Sequence, residues 1–286
     1  MKNVDKRLQE YGHLVMFSHS IFSFSFLVLA ALIAADGFPG FRNSLLLVLA
    51  FLGARTAANA FNRIIDRNLD AKNPRTSARH LAAGSISVLE AILITLISSL
   101  ALLVAAFLLS PLCVALLPVA LLLILGYSYT KRFTYLCHAL LGIACAAAPA
   151  GAYIALRGSL DLPSLVLCSA NALWVMGFDI VYAIQDIDFD RKEGLHSIPA
   201  RFGSQIALVL SALSHLGALA ALLLYGILTP LGLSYFIGIF IIGILLASSS
   251  ILAHKDYRRQ VLFASYTSNQ VVSLVLLAST VIDFVL

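Results

Sequence analysis

Apolar runs of about twenty residues recur from one end of this 286-residue chain to the other, and they constrain its fold more than any other feature. Twenty helical residues rise about 30 Å, the thickness of a bilayer's hydrocarbon core. Lipid offers no partner to a backbone N–H or C=O, so each run must satisfy its own backbone as a helix. The residue-by-residue alternation of a membrane barrel is absent. Nine spans are expected, near residues 14–35, 43–66, 86–108, 111–129, 136–156, 163–186, 205–226, 230–253 and 265–285. The mean hydropathy of +0.95 and a charged content of 12% agree, soluble domains carrying about 25%. The expectation is an all-α integral membrane protein, one domain over residues 1–286. The first run is too long for the core of a cleaved signal and is read as a retained span.

The basic residues orient this bundle. With the N-terminus in the cytoplasm, 16 of the 19 Lys and Arg fall in inner segments; only Arg42 and Arg157 lie outside, and Arg55 falls within a span. The positive-inside rule then puts the N-terminus in the cytoplasm and the C-terminus outside the plasma (inner) membrane. The net charge of +5 follows from topology, and no nucleic-acid or protein partner is implied. Cys113, Cys137, Cys145 and Cys168 lack Cys-x-x-Cys spacing and read as packing residues.

Six of the 14 acidic residues gather in two stretches, Asn62 to Asp70 and Asp179 to Asp190, each closing an apolar helix. At about 100° per residue, Arg55, Asn59, Asn62, Asp66 and Asp70 lie within about 80° of one another. Asp179, Tyr182, Asp186 and Asp190 form a similar stripe. The stripes end the second and sixth spans on the same predicted side, so they can face one inward-opening cavity. A single interfacial Asp usually caps or solvates a helix end. Arg55 and Asn59 carry the first stripe into the membrane, where an ionisable group costs about 2.5–3.5 kcal/mol and usually faces a protein or water-filled interior.

Mg²⁺ takes oxygen ligands, keeps several waters, and is commonly held by one or two carboxylates while it binds substrate phosphates. On that chemistry, two carboxylate clusters opposite each other could hold a diphosphate between metal ions. Basic residues in the adjoining loops, including Arg67, Lys72, Arg75, Arg79, Lys131, Arg132 and Lys192, can neutralise phosphate oxygens, although many also serve the positive-inside bias. His13, His80, His138, His215 and His254 have no ligand spacing and are assigned no role.

Asn62-x-x-x-Asp66-x-x-x-Asp70, followed by Arg75-Thr76 and Arg79, resembles the first Asp-rich motif of the UbiA superfamily of intramembrane prenyltransferases. Tyr127-Ser-Tyr-Thr-Lys131-Arg132 is similar to that family's aromatic-basic loop. Asp179-x-x-Tyr182-x-x-x-Asp186-x-x-x-Asp190, with Gly194 and Ser197, resembles its second motif. This second motif and Ile198-Pro-Ala-Arg-Phe-Gly203 are similar to the 4-hydroxybenzoate polyprenyltransferase branch. The resemblance implies a helical bundle around a central cavity, Asp-rich cytoplasmic loops, and a lateral opening for a lipid substrate.

It also implies a reaction. Asp66, Asp70, Asp186 and Asp190, the catalytic and metal residues the resemblance implies, would hold Mg²⁺ on the diphosphate of an allylic polyprenyl donor, with Asn62 in support. The remaining substrate-binding candidates are Arg55, Asn59, Arg75, Lys131, Arg132, Tyr182 and Lys192, and the rings of Tyr127, Tyr153 and Tyr182 are candidates to face an allylic cation. The acceptor would be an aromatic acid, 4-hydroxybenzoate, or 1,4-dihydroxy-6-naphthoate on a menaquinone route. Two positions depart from the family: Met16 and Ser18-His19-Ser20 stand where an Arg and then Asp-Lys-Pro are usual, and His196 stands where Lys is common. A cation-coupled transporter is the alternative from another class, but its sites tend to lie at midplane helix breaks, whereas these acids lie at one face. A CDP-alcohol phosphotransferase would need an Asp-x-x-Asp-Gly-x-x-Ala-Arg run, which is missing.

Overall fold

The computed structural model describes residues 21–255 and 267–286, together with Gly12. The described residues are helical and contain no strand. Among the described residues, eight helices are long and apolar enough to cross a membrane. The expected span at 14–35 is represented by a shorter helix, α1 (Ile21–Ala34), and its beginning lies outside the described residues. Met16 and Ser18-His19-Ser20 also fall outside them, as do Arg258 and Arg259 of the last inner loop.

The helices form two compact units. In the first, α2 (Phe41–Lys72) packs along α3 (Val88–Leu109), and α4 (Pro111–Thr130) comes next in the chain. At 32 residues α2 is about 48 Å long, so it outruns the hydrocarbon by about 18 Å and carries its polar end out of the lipid. The connection back to α3 ends in a reciprocal cap: Ser87 accepts from the Glu90 N–H at 3.2 Å, and Glu90 accepts from the Ser87 N–H at 2.7 Å. Leu96, Ile97, Leu100 and Phe107 of α3 are exposed, as suits a helix whose outer face meets lipid.

The second unit holds α1 with α5 (Cys137–Arg157), α6 (Leu162–Ala183), α7 (Ile187–Lys192), α8 (Ile198–Leu228), α9 (Leu233–Lys255) and α10 (Ser268–Val285). Its long helices pack in a closed order: α1 on α5, α5 on α6, α6 on α8, α8 on α9, α9 on α10, and α10 back on α1. The approach of α5 to α6 is set at Gly142, where the Ala172 carbonyl fills the space a Cβ would need. Gly203, at φ 82° and ψ 169°, breaks α8, so the span proper begins after it, close to the expected 205.

One expectation needs correction. The second acidic stripe does not lie on one continuous helix, because Ile184–Asp186 form a 3₁₀ turn between α6 and α7. Three residues at about 120° each, in place of 100°, rotate α7 by about 60°, so Asp190 is not in simple register with Asp179. The Tyr127–Arg132 segment differs as well: Tyr127 to Thr130 form the last helical turn of α4, and only Lys131 and Arg132 belong to the turn beyond.

Candidate active site

In the first unit, the Asn62–Asp70 stretch forms the polar end of α2. Asn62 Nδ2 donates to Asp66 Oδ2 at 3.2 Å, one turn along the helix. Asp66 is 3% exposed and Asp70 6%, too deep for solvated helix ends. Arg79 Nη1 donates to Asp70 Oδ1 at 2.7 Å, and Arg63 Nη1 lies 3.9 Å from Asp70 Oδ2. The Thr76 hydroxyl donates to the Asp70 carbonyl at 3.2 Å, and the Arg75 N–H to Asn73 Oδ1 at 3.0 Å. The Arg75–Arg79 segment is thereby folded back over the end of α2. Arg67, Lys72 and Arg75 are exposed, whereas Arg55 and Asn59 are half-buried farther along the same helix.

In the second unit, the Asp179–Asp190 stretch is tied to neighbouring elements. Asp179 Oδ2 lies 2.7 Å from His138 Nδ1 at the start of α5. Asp190, 9% exposed, accepts at Oδ2 from the Ser197 hydroxyl at 2.7 Å. The same Ser197 oxygen caps α8, accepting from the Ala200 N–H at 3.3 Å. Asp186 and Tyr182 are half-buried, Asp188 and Lys192 are exposed, and Lys131 and Arg132 are half-buried. The His196 N–H donates to the Lys131 carbonyl at 2.6 Å, and its ring packs on Tyr135 with centroids 4.8 Å apart. The backbone next to Lys131 is thus bound to the backbone just beyond Asp190.

Tyr153 is not part of this arrangement. Its hydroxyl is hydrogen-bonded to that of Tyr225 at 2.7 Å, and the Arg157 guanidinium already stands over its ring, 5.7 Å from the centroid. It lies 15 residues from His138, about 22 Å along α5. Arg157 donates there to the carbonyls of Ile33 and Ala34, closing the C-terminal end of α1. Tyr153 therefore serves the opposite end of the unit, and of the three aromatic candidates only Tyr127 and Tyr182 remain near basic or acidic site residues.

Sequence reasoning missed His138 and gave Ser197 no mechanism. Ser197 had a local signal, since Ser-Ile-Pro before an apolar run is a helix start with Pro in the first turn. His138 had none, because its partner lies 41 residues away. All candidate cation donors in the two stretches are oxygens, as Mg²⁺ requires, with no His or Cys among them. Among the described residues no three His, Cys, Asp or Glu converge into a cage.

The UbiA prenyltransferase family model matches residues 23–270, most of the chain and both acidic stretches. This chain belongs to the UbiA prenyltransferase family. A 4-hydroxybenzoate octaprenyltransferase of Nitrosospira multiformis is 34% identical over 256 residues, covering 88% of this chain and 86% of that one. The 4-hydroxybenzoate octaprenyltransferase of Pseudomonas aeruginosa is 33% identical over 259 residues, covering 89% and 85%. Among solved structures, a UbiA homologue from Aeropyrum pernix K1 superimposes with a TM-score of 0.85 at 31% identity, covering 93% of this chain and 98% of that one. A UbiA homologue from Archaeoglobus fulgidus bound to GPP and Mg²⁺ shares the fold, with a TM-score of 0.68 at 18% identity and coverage of 97% and 100%. This UbiA protein is thus an integral membrane prenyltransferase, and the transporter alternative has no support.

Proposed function

We propose that this UbiA protein transfers a polyprenyl group from an allylic polyprenyl diphosphate to 4-hydroxybenzoate in quinone biosynthesis, with Mg²⁺ as cofactor. The observation that carries this reading is the pair of all-oxygen acidic stretches, with Asp66, Asp70 and Asp190 buried, in a chain whose relatives at 33–34% identity are 4-hydroxybenzoate octaprenyltransferases. Residues 1–286 act as one nine-span membrane domain in the plasma membrane. Asp66 and Asp70 of the first stretch and Asp186 and Asp190 of the second would hold Mg²⁺, which when bound would supply positive charge to the diphosphate. Asn62 orients Asp66, while Arg75, Lys131, Arg132 and Lys192 bind diphosphate oxygens. Stabilising the leaving diphosphate lets the allylic C–O bond ionise, and exclusion of water protects the resulting cation. Tyr182 offers its ring face to that cation. The ring carbon ortho to the acceptor hydroxyl attacks, and loss of its proton restores aromaticity.

The test is transfer from a labelled polyprenyl diphosphate by the purified protein in lipid, with and without Mg²⁺. The two acids, 4-hydroxybenzoate and 1,4-dihydroxy-6-naphthoate, compete in the same reaction. The second is included because Met16 and Ser18-His19-Ser20 replace the usual charged residues of the first span. Predominant prenylation of the naphthoate would reassign the acceptor, and no transfer to either would sink the reading.

Arg55, with Asn59 beside it on α2, is the proposed partner of the acceptor carboxylate. It lies about 16 Å along the helix from Asp66. Arg55→Ala should raise the acceptor KM at least about tenfold and leave the donor KM within about twofold, since breaking one half of an ion pair in a dry site is costly. An unchanged acceptor KM would make Arg55 a structural residue of the stripe.

The orientation has its own test. Single Cys residues at Lys72 and Lys192 in a Cys-free background should react with impermeant thiol reagents from the cytoplasmic side only. Labelling of the two from opposite sides would separate the acidic stretches.

A further inference from the structure

His138 is 3% exposed at the first turn of α5, and the mechanism above gives it nothing to do. Its ring is bonded on both sides. The Ile198 N–H donates to Nε2 at 3.3 Å, so Nε2 is the acceptor nitrogen, and the proton on Nδ1 points at Asp179 Oδ2, 2.7 Å away. The two contacts reach the two ends of the second acidic stretch. Asp179 opens it on α6. Ile198 is the first residue of α8 and comes directly after Ser197, whose hydroxyl holds Asp190 at the other end. Between those ends the backbone changes from α to 3₁₀ and back, a path that backbone hydrogen bonding alone does not hold in one register. The Cys137 thiol, next to His138, donates to the His196 carbonyl at 3.3 Å, a second stitch between the same two segments.

We infer that His138 is a positioning residue for the second acidic stretch, orienting the Asp179 carboxylate through Nδ1 and fixing the Ser197 clasp on Asp190 through its contact with Ile198. This rests on the diphosphate-binding role proposed above. His138 touches neither substrate nor metal. It sets where two carboxylates sit, as an outer-shell partner whose loss typically costs about 10- to 100-fold in metal affinity or activity.

The test reads binding without turnover, as the shift in the thermal unfolding midpoint of the full chain in detergent when inorganic pyrophosphate is titrated at fixed MgCl₂. The wild type should be stabilised. In His138→Ala the half-saturating pyrophosphate concentration should rise at least about tenfold. His138→Gln, whose terminal amide carries one donor and one acceptor, should recover most of the loss. The double variant His138→Ala with Asp179→Ala should bind no more than about twofold more weakly than the weaker single variant, because both remove the same contact. Wild-type affinity in His138→Ala, or losses that simply add, would overturn the inference while leaving the diphosphate site standing. No response in the wild type would overturn the site and the inference together. If His138→Ala does not fold, Asp179→Ala still decides, since it removes the acceptor of the Nδ1 proton and wild-type affinity in it contradicts any role for the pair.

Discussion

Asp66→Asn and Asp186→Asn should each cut prenyl transfer about a hundredfold or more, the scale on which loss of one preorganised charge-stabilising group is felt. Asn has almost the shape of Asp, so the packing around Asp66, 3% exposed, is preserved, and Asn62 keeps an oxygen to donate to in place of Asp66 Oδ2 at 3.2 Å. What is lost is the anionic ligand. Unfolding midpoints should stay close to the wild type, and turnover is measured at saturating donor and Mg²⁺. Two variants that turn over like the wild type, or a wild type indifferent to EDTA, would remove the acidic stretches from the chemistry.

Gly142→Leu should leave almost no folded protein, whereas Gly151→Ala on the same helix should be neutral or stabilising by up to about 1 kcal/mol, the helix-propensity difference between the two residues. The contrast is steric. At Gly142 the Ala172 backbone occupies the Cβ position, with its carbonyl carbon 3.0 Å away, whereas nothing lies within 4 Å of a Cβ at Gly151. One extra methylene in a packed interior costs about 1–3 kcal/mol, and a Leu side chain forces α5 and α6 apart by far more than propensity returns. Gly142 is one turn from His138, so the same displacement pulls His138 away from Asp179. The check is the folded fraction by gel filtration together with the unfolding midpoint; a Gly142→Leu protein that melts like the wild type would contradict the packing.

The first acidic stretch was legible because its determinants are local. Asn62, Asp66 and Asp70 share a face of one long helix by spacing alone, and a helix of that length must leave the lipid near them. The second was legible as composition but not as geometry. Asp179, Tyr182, Asp186 and Asp190 have helical spacing too, yet the backbone tightens at Ile184–Asp186, and the carboxylates on either side of that turn, Asp179 and Asp190, are held by His138 and Ser197 from other segments. Tyr153 shows the same limit from the other side: an aromatic ring reads as a candidate for any cation, and only packing reveals that Arg157 already covers it.

The sequence by itself determined that the chain lies in a membrane, where its eight described spans lie to within about seven residues at each end, and which carboxylates are gathered at helix ends. Those properties follow from hydropathy, rise per residue and angular spacing, all of which act between near neighbours in the chain. Only the tertiary structure decided that Arg79 closes on Asp70, that Gly142 lets α5 and α6 touch, and that His138 joins Asp179 to the start of α8. Each of the last two joins residues about 30 to 60 apart in sequence, and Arg79 reaches Asp70 only because the chain folds back after α2. Such pairings depend on how the chain folds back on itself, which no helical period records.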